Sequence, residues 1–430
     1  MAKKKIEKPQ REVTKRQLSR WQQQKKRQRI VFIMGSCIIA AVLVVLGVGW
    51  YINEYRPLHQ IVIKVNDTEL DMDYYIKTLK FYGAGQSAIY MYAVADEVVG
   101  IIERDELVRQ AAMKLGISVS GSEVDEELKD YDSPVSDALR EMVRSQLLIS
   151  KLRDGYFEHR VPVSAEQRHI MAMFLESESQ AIEVRDRLEA GEDFGELAGE
   201  LSLESFTRIE EGDLGWRPED VLTMLLDTSV PIEYAFGSEA RVLSQPIYDE
   251  TQSKSVGYWL IRVVERKEAG VVAGEEPEQA HIFAILLGSE EEAWQVKEKI
   301  ETGGDLEAMA KELSQHGVSK DSGGDIGWVY PGTMSSAFEE FAFDHEVIMG
   351  KLSEPIKDEE ISTRGGYWLV EVLGEDDNRK IDKDDRELLK NEALNEWVLA
   401  LFKGPENEVT SYLDDEMKRW AADRAYKELE

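Results

Sequence analysis

The side chains able to do chemistry in this 430-residue chain are few, and two of them stand in equivalent places. The six histidines are His59, His159, His169, His281, His316 and His345, and the single cysteine is Cys37. No pair of histidines has the spacing of a metal site, and neither a Gly-x-Ser-x-Gly elbow nor a phosphate-binding Walker loop occurs. Gly83-Ala84-Gly85 lacks the strand-to-helix context of a nucleotide loop. Acidic runs such as 290–292 and 376–377 have the charge to bind calcium but read better as a solvated helix face or linker. Nothing in these patterns calls for a metal or a cofactor.

His169 and His281 belong to an internal repeat. Arg168-His169-Ile170 returns as Ala280-His281-Ile282, and Gly212-Asp213-Leu214-Gly215-Trp216 as Gly324-Asp325-Ile326-Gly327-Trp328, both 112 residues on. After a loop three residues longer in the first copy, Ser244-Gln245-Pro246-Ile247 matches Ser353-Glu354-Pro355-Ile356. Gly257-Tyr258-Trp259 then matches Gly366-Tyr367-Trp368. So many positions in one register argue a duplicated domain of about 100 residues, small for a dinucleotide fold. Each copy reads as strand, two helices, glycine-rich turn, short helix and strand, which is an α+β unit.

Around the repeat lie helices. Residues 96–115 place Val98, Ile101, Val108, Ala112 and Leu115 on one face, and Gly116 follows as a stop. Ser120 and Glu123 form a capping box for the next helix, and a third helix is expected over 135–157. Before them, 61–65 alternates like a strand and Asn66-Asp67 reads as a turn. Near the other end Leu389, Ala393, Trp397 and Leu401 share a helical face that needs an apolar partner.

At the start, residues 30–52 run 23 positions without a charge, long enough for a helix to cross a hydrocarbon core of roughly 30 Å. The first 29 residues hold twelve Lys or Arg against Glu7 and Glu12, and the positive-inside rule keeps them cytoplasmic. The expectation is therefore a single-pass anchor in the cytoplasmic membrane, N-terminus in, with the body extracytoplasmic. A cleaved signal peptide is the alternative, against which stands a run longer than a typical h-region of about 7 to 15 residues. The chain carries −32 in all although its first segment is basic, so the body is strongly acidic and a poor partner for nucleic acid.

The order of the repeated residues resembles the parvulin (PpiC) family of peptidyl-prolyl cis-trans isomerases. In the second copy the motif stands as His281, Leu313-Ser314, Gly323 to Trp328, Gly332-Thr333-Met334 and Phe338-Glu339-Glu340-Phe341-Ala342-Phe343. With helical flanks on both sides, the chain is similar to the SurA and PrsA chaperone-foldases.

Together with the charge-free run at 30–52, the resemblance gives an expected α+β fold in six segments. A cytoplasmic segment 1–29 and a transmembrane helix 30–52 precede a helical chaperone-like domain 58–160, which helices at 381–430 complete. Between them stand a degenerate parvulin-like domain 163–267 and a better preserved one at 275–375. It also implies an isomerase and foldase acting on unfolded exported polypeptides with X-Pro bonds, with no cofactor. In the second copy, Ile326, Met334, Phe338 and Phe343 are positions where the family lines its proline pocket, and His281 is its first core histidine. The family's second histidine is replaced by Trp in both copies, Trp259 and Trp368. Its acidic or cysteine position is held by Glu204 in the first copy and His316 in the second. The catalytic set expected is thus His281, His316, Ile326, Met334, Phe338, Phe343 and Trp368. A weaker, substrate-binding set is His169, Glu204, Leu214, Met224, Phe236 and Trp259, because Gly215 to Phe236 is five residues longer than Gly327 to Phe343. The alternative function is a holdase that uses parvulin scaffolds only to bind peptide.

Overall fold

The computed structural model describes residues 34, 41–131, 135–267 and 277–429. In chain order its strands are β1 (Ile61–Val65), β2 (Thr68–Asp71), β3 (Ser164–Leu175), β4 (Asp213–Arg217), β5 (Ile247–Lys254) and β6 (Gly257–Lys267). They continue as β7 (Gln279–Leu287), β8 (Asp325–Val329), β9 (Ile356–Asp358), β10 (Thr363–Lys380) and β11 (Val409–Ser411). The chain divides into two compact units, Met1–Glu158 with Ala393–Glu430, and His159–Glu392.

The expected transmembrane helix over 30–52, and with it the single-pass membrane localisation, must be corrected. Among the described residues no helix is long and apolar enough to cross a membrane. Residues 30–33 and 35–40, like the basic segment 1–29, lie outside the described residues. The described part of the run is a helix over 41–50, which at about 1.5 Å per residue covers roughly half of a hydrocarbon core. Its continuation through Tyr51–Tyr55 and Arg56–Leu58 brings in Asn53, Glu54 and Arg56.

In the first unit, β1 lies between β11 and β2, and Asn66 makes the β1–β2 turn at φ 53° with its amide bonded to Gln110 and Asn407. Ser120 and Glu123 form the capping box of helix Gly121–Glu127. Helix Ala95–Lys114 buries two sides rather than one. Val98 and Ile102 join Val62, Leu79 and Met91, while Val108 and Ala112 join Leu148, Leu152 and Phe157. Being central, it has no single outward face, and Leu115 is left exposed. Ala421, Ala422 and Ala425 of helix Asp415–Lys427 close the first of these clusters, and Leu394 and Trp397 close the second.

In the second unit the two sheets are ordered β4-β3-β10-β5 and β8-β7-β6-β9. Each takes three strands from one sequence repeat and its fourth from the other. β10 of the second repeat pairs with β3 through Tyr367↔Leu175 and Val370↔Ala172. β6 of the first pairs with β7 through the equivalent Tyr258↔Leu287 and Ile261↔Ala284. The boundaries 163–267 and 275–375 therefore mark sequence repeats, not sheets. Only Ser255-Val256 separates β5 from β6, and neither has the positive φ that a tight two-residue hairpin requires, so the chain runs on into the neighbouring sheet.

Helices Glu178–Glu189 and Phe194–Leu201 cover one face of the first sheet, capped by Ser177 and Asp193. Helices Glu290–Glu301 and Leu306–Leu313, capped by Ser289 and Asp305, do the same for the second. The opposite faces carry Val230–Gly237 and Ser336–Ala342.

Where the strands cross, the Lys254 ammonium is 3% exposed and donates to the Gly365 carbonyl. Burial pushes its pKa down from 10.5 to about 8, against the pull of Glu176 and Glu292. Because the folded pKa is the lower one, the unfolded chain binds more protons between these values, and stability gains as pH rises from about 8 towards 10. Lys254→Met is expected to raise the melting temperature of this unit at pH 7 and to remove that rise, worth at most about 3 kcal/mol. Melting curves over pH 7 to 10 check it, and an unchanged slope in the variant would contradict it.

Candidate functional site

The second sheet gathers most of the expected catalytic side chains into one cluster, and its residues come from both repeats. Gly324, at φ +90°, has no room for a Cβ, which would meet Leu306 Cδ2 at 2.9 Å, and its carbonyl accepts from Ala284 at 2.8 Å. This turn sets β8 against β7 and places half-buried Ile326 on the face of Ile282 and Val329. Beyond β8 the loop through Met334 is gripped by Glu339, whose carboxylate accepts the backbone N–H groups of Gly332 (2.9 Å), Thr333 (2.7 Å) and Met334 (2.8 Å). Desolvation works against the Glu339 charge, but those three donors outweigh it and hold its carboxyl below the usual range.

Helix Ser336–Ala342 then buries Phe338 completely, with Met334 and Phe343 half-buried beside it. Phe338 and Trp259 meet in a T-shaped contact, centroids 4.9 Å apart at 80°, and Trp259 meets His316 at 5.2 Å and 65°. The Trp259 indole donates to Asp358 Oδ2 at 2.9 Å, the same oxygen that Ser335 Oγ reaches. His316 caps helix Gly317–Ser322, its Nδ1 accepting from Ser319 N at 3.4 Å, which requires the neutral ring. Burial pushes its pKa below the ordinary value, in the same sense.

His316, Ile326, Met334, Phe338 and Phe343 thus come together. His281 does not join them. Strand residues alternate between faces, and Ala280 and Ile282 belong to the Phe338 cluster, so His281 lies on the other face. There its Nε2 is 2.8 Å from Asp325 Oδ1 and its ring stacks on Trp328 at 5.4 Å. Trp368 is also elsewhere: it sits in the first sheet's core, 4.9 Å from Phe174, and donates to Asp249 at 3.1 Å. Its place beside Phe338 is taken by Trp259.

The first sheet repeats the scheme with a different core. Leu214 is buried with Ile170, Trp368 and Ile232, and half-buried Phe236 carries the Arg168 guanidinium 5.3 Å over its ring. Glu204 caps helix Ser205–Ile209 through Phe206 N and Thr207 N, as His316 does in the other copy. His169 pairs with Asp213 at 2.7 Å. Burial opposes the charge of Asp249, yet hydrogen bonds led by Thr228 hold its carboxyl low. The longer segment folds as helix Glu219–Leu226, whose Leu222 and Leu226 enter the core, whereas Met224 stays half-buried outside that cluster. A cavity of about 1060 Å³ on this module is rimmed by Glu189, Glu192, Glu211 and Asp213 and shares no residue with the Phe338 cluster.

Sequence reasoning missed Asp358, Ser335 and the clamp by Glu339. The clamp had a signal, since Gly332 and Glu339 lie in one short motif, but Asp358 had none, because its role depends on which tryptophan reaches it.

Residues 287–373 match the family model of the PPIC-type PPIASE domain, a rotamase. Chaperone SurA of Nitrosococcus oceani is 25% identical over 423 residues, spanning 82% of this chain and 94% of that protein. Foldase protein PrsA 2 of Bacillus anthracis is 33% identical over 107 residues, 25% of this chain and 35% of that one. Among solved structures, PrsA from Bacillus subtilis covers 87% of this chain and 94% of its own, at 13% identity and a TM-score of 0.20. The chain carries a PpiC-type peptidyl-prolyl isomerase domain and is SurA/PrsA-like in sequence.

Proposed function

We propose that this SurA/PrsA-like isomerase turns X-Pro bonds of unfolded client polypeptides in the pocket of its second module, formed by Ile326, Met334, Phe338 and Phe343. Rotating such a bond costs about 18 to 20 kcal/mol, because the planar amide loses resonance at the twisted midpoint. No covalent intermediate is needed. An apolar wall that grips the proline ring and keeps water from the carbonyl favours the twisted amide over the planar one. The observation that carries the reading is the preset Met334 loop beside Phe338, with neutral His316 against Trp259, which packs on Phe338. Leu222 and Leu226, which fill the first module's core, support assigning turnover to the second. Client binding is proposed because the relatives are a chaperone and a foldase.

The test is a refolding reaction limited by proline isomerisation, uncatalysed over about 10 to 100 s. Its slow phase is expected to accelerate in proportion to added chain. A chain that suppresses aggregation but leaves the slow phase unchanged would be a holdase. That second reading has its own observation: a cavity of about 950 Å³ in the first unit, lined by Tyr82, Met142, Leu147, Ile149, Val398 and Leu399.

A further inference from the structure

Trp259 belongs to the first repeat and packs in the second module's pocket, while its equivalent, Trp368, packs in the first module. In a fold where each repeat closed on itself, the two would be exchanged. The crossing is built on both strands. Thr363 Oγ1 donates to the Val256 carbonyl and Lys254 to that of Gly365. Gln315 binds both the N–H (2.7 Å) and the carbonyl (2.9 Å) of Arg364. Gly257 and Gly366, equivalent in the repeat, each pass too close to the other repeat for a side chain: a Cβ would lie 2.7 Å from Thr363 Cγ2 at one and 2.5 Å from the Leu175 carbonyl at the other.

We propose that Trp259 is a positioning residue supplied by the first repeat to the isomerase pocket of the second, so that the two repeats form one catalytic unit. The inference rests on the pocket assignment above. Trp259 is fully buried and acts through its neighbours. Its ring packs in T-shaped contact with Phe338 and His316, and its indole, sharing Asp358 with Ser335, ties β6 to the loop that carries Met334. The family match at 287–373 takes in the start of β10, which lies in the other module, and leaves out β6, which completes this one.

Two measurements on the full chain test it, the first independent of catalysis. Arg262 faces Phe283 in the register found, and by the repeat it would face Met171 if each repeat closed on itself. In a Cys37→Ser background, Arg262→Cys with Phe283→Cys is expected to form a disulfide by peptide mapping, since antiparallel partners lie about 4.5 to 5.5 Å apart. Arg262→Cys with Met171→Cys is expected to form none. The reverse pattern would overturn the exchange.

The second compares Trp259→Phe with Trp368→Phe. The former is expected to lower kcat on an X-Pro peptide by about tenfold with KM little changed, and to shift the His316 NMR titration. The latter is expected to leave both within about twofold. Loss of kcat in the Trp368 variant, with Trp259→Phe silent, would overturn the positioning role. An inactive wild-type chain would instead refute the isomerase pocket. The role of Trp259 in turnover would fall with it, while the disulfide pattern would still decide the exchange.

Discussion

Phe338→Ala is expected to abolish prolyl isomerisation and to destabilise the second unit by about 3 to 5 kcal/mol, the cost of emptying an aromatic site in a closed core. Phe338 is fully buried against Trp259, among Ile282, Val329 and Ala342. Lost activity alone would not separate a missing pocket wall from a loosened fold. Phe338→Leu refills much of the volume and is expected to recover most of the stability. It should still turn over slowly, because the edge-to-face contact that orients Trp259 is gone. Denaturant unfolding beside exchange rates measures both, and full activity in either variant would remove Phe338 from the site.

Ala422→Glu is expected to cost the first unit several kcal/mol and to leave isomerase activity in place. Ala422 is 1% exposed in the cluster that joins helix Asp415–Lys427 to Val62, Leu79 and Met91. An unpaired carboxylate there must be desolvated or protonated. If the first unit carries a holdase function, aggregation suppression should fall while proline-limited refolding is still accelerated. A variant with unchanged unfolding would show that the terminal helix does not close this core.

Much of this was legible from residue types alone. The Asn66 turn and the Ser120–Glu123 capping box are local features, and local chemistry decides them, while the repeat is visible by comparing the sequence with itself. Which face His281 occupies was also legible, because Ala280, Ile282, Ala284 and Leu286 alternate with it, yet the motif drew attention to the histidine rather than to its parity. The strand exchange was not legible. β6 and β10 carry the same Gly-Tyr-Trp start and pair with equivalent residues, so both closures satisfy the same pattern. Only Ser255-Val256, a poor hairpin turn, hinted at which closure is used. The charge-free run at 30–52 was read from its length and its basic flank, whereas its described end runs on as helix through Asn53, Glu54 and Arg56.

Exchange spectroscopy on a short X-Pro peptide with the full chain tests turnover in the second module most directly. The chain is expected to raise the cis/trans exchange rate in proportion to its concentration. Met334→Ala, half-exposed and so nearly neutral for the fold, should remove most of that gain, and Met224→Ala in the first module none. An equal loss from both variants, or full activity in Met334→Ala, would contradict it.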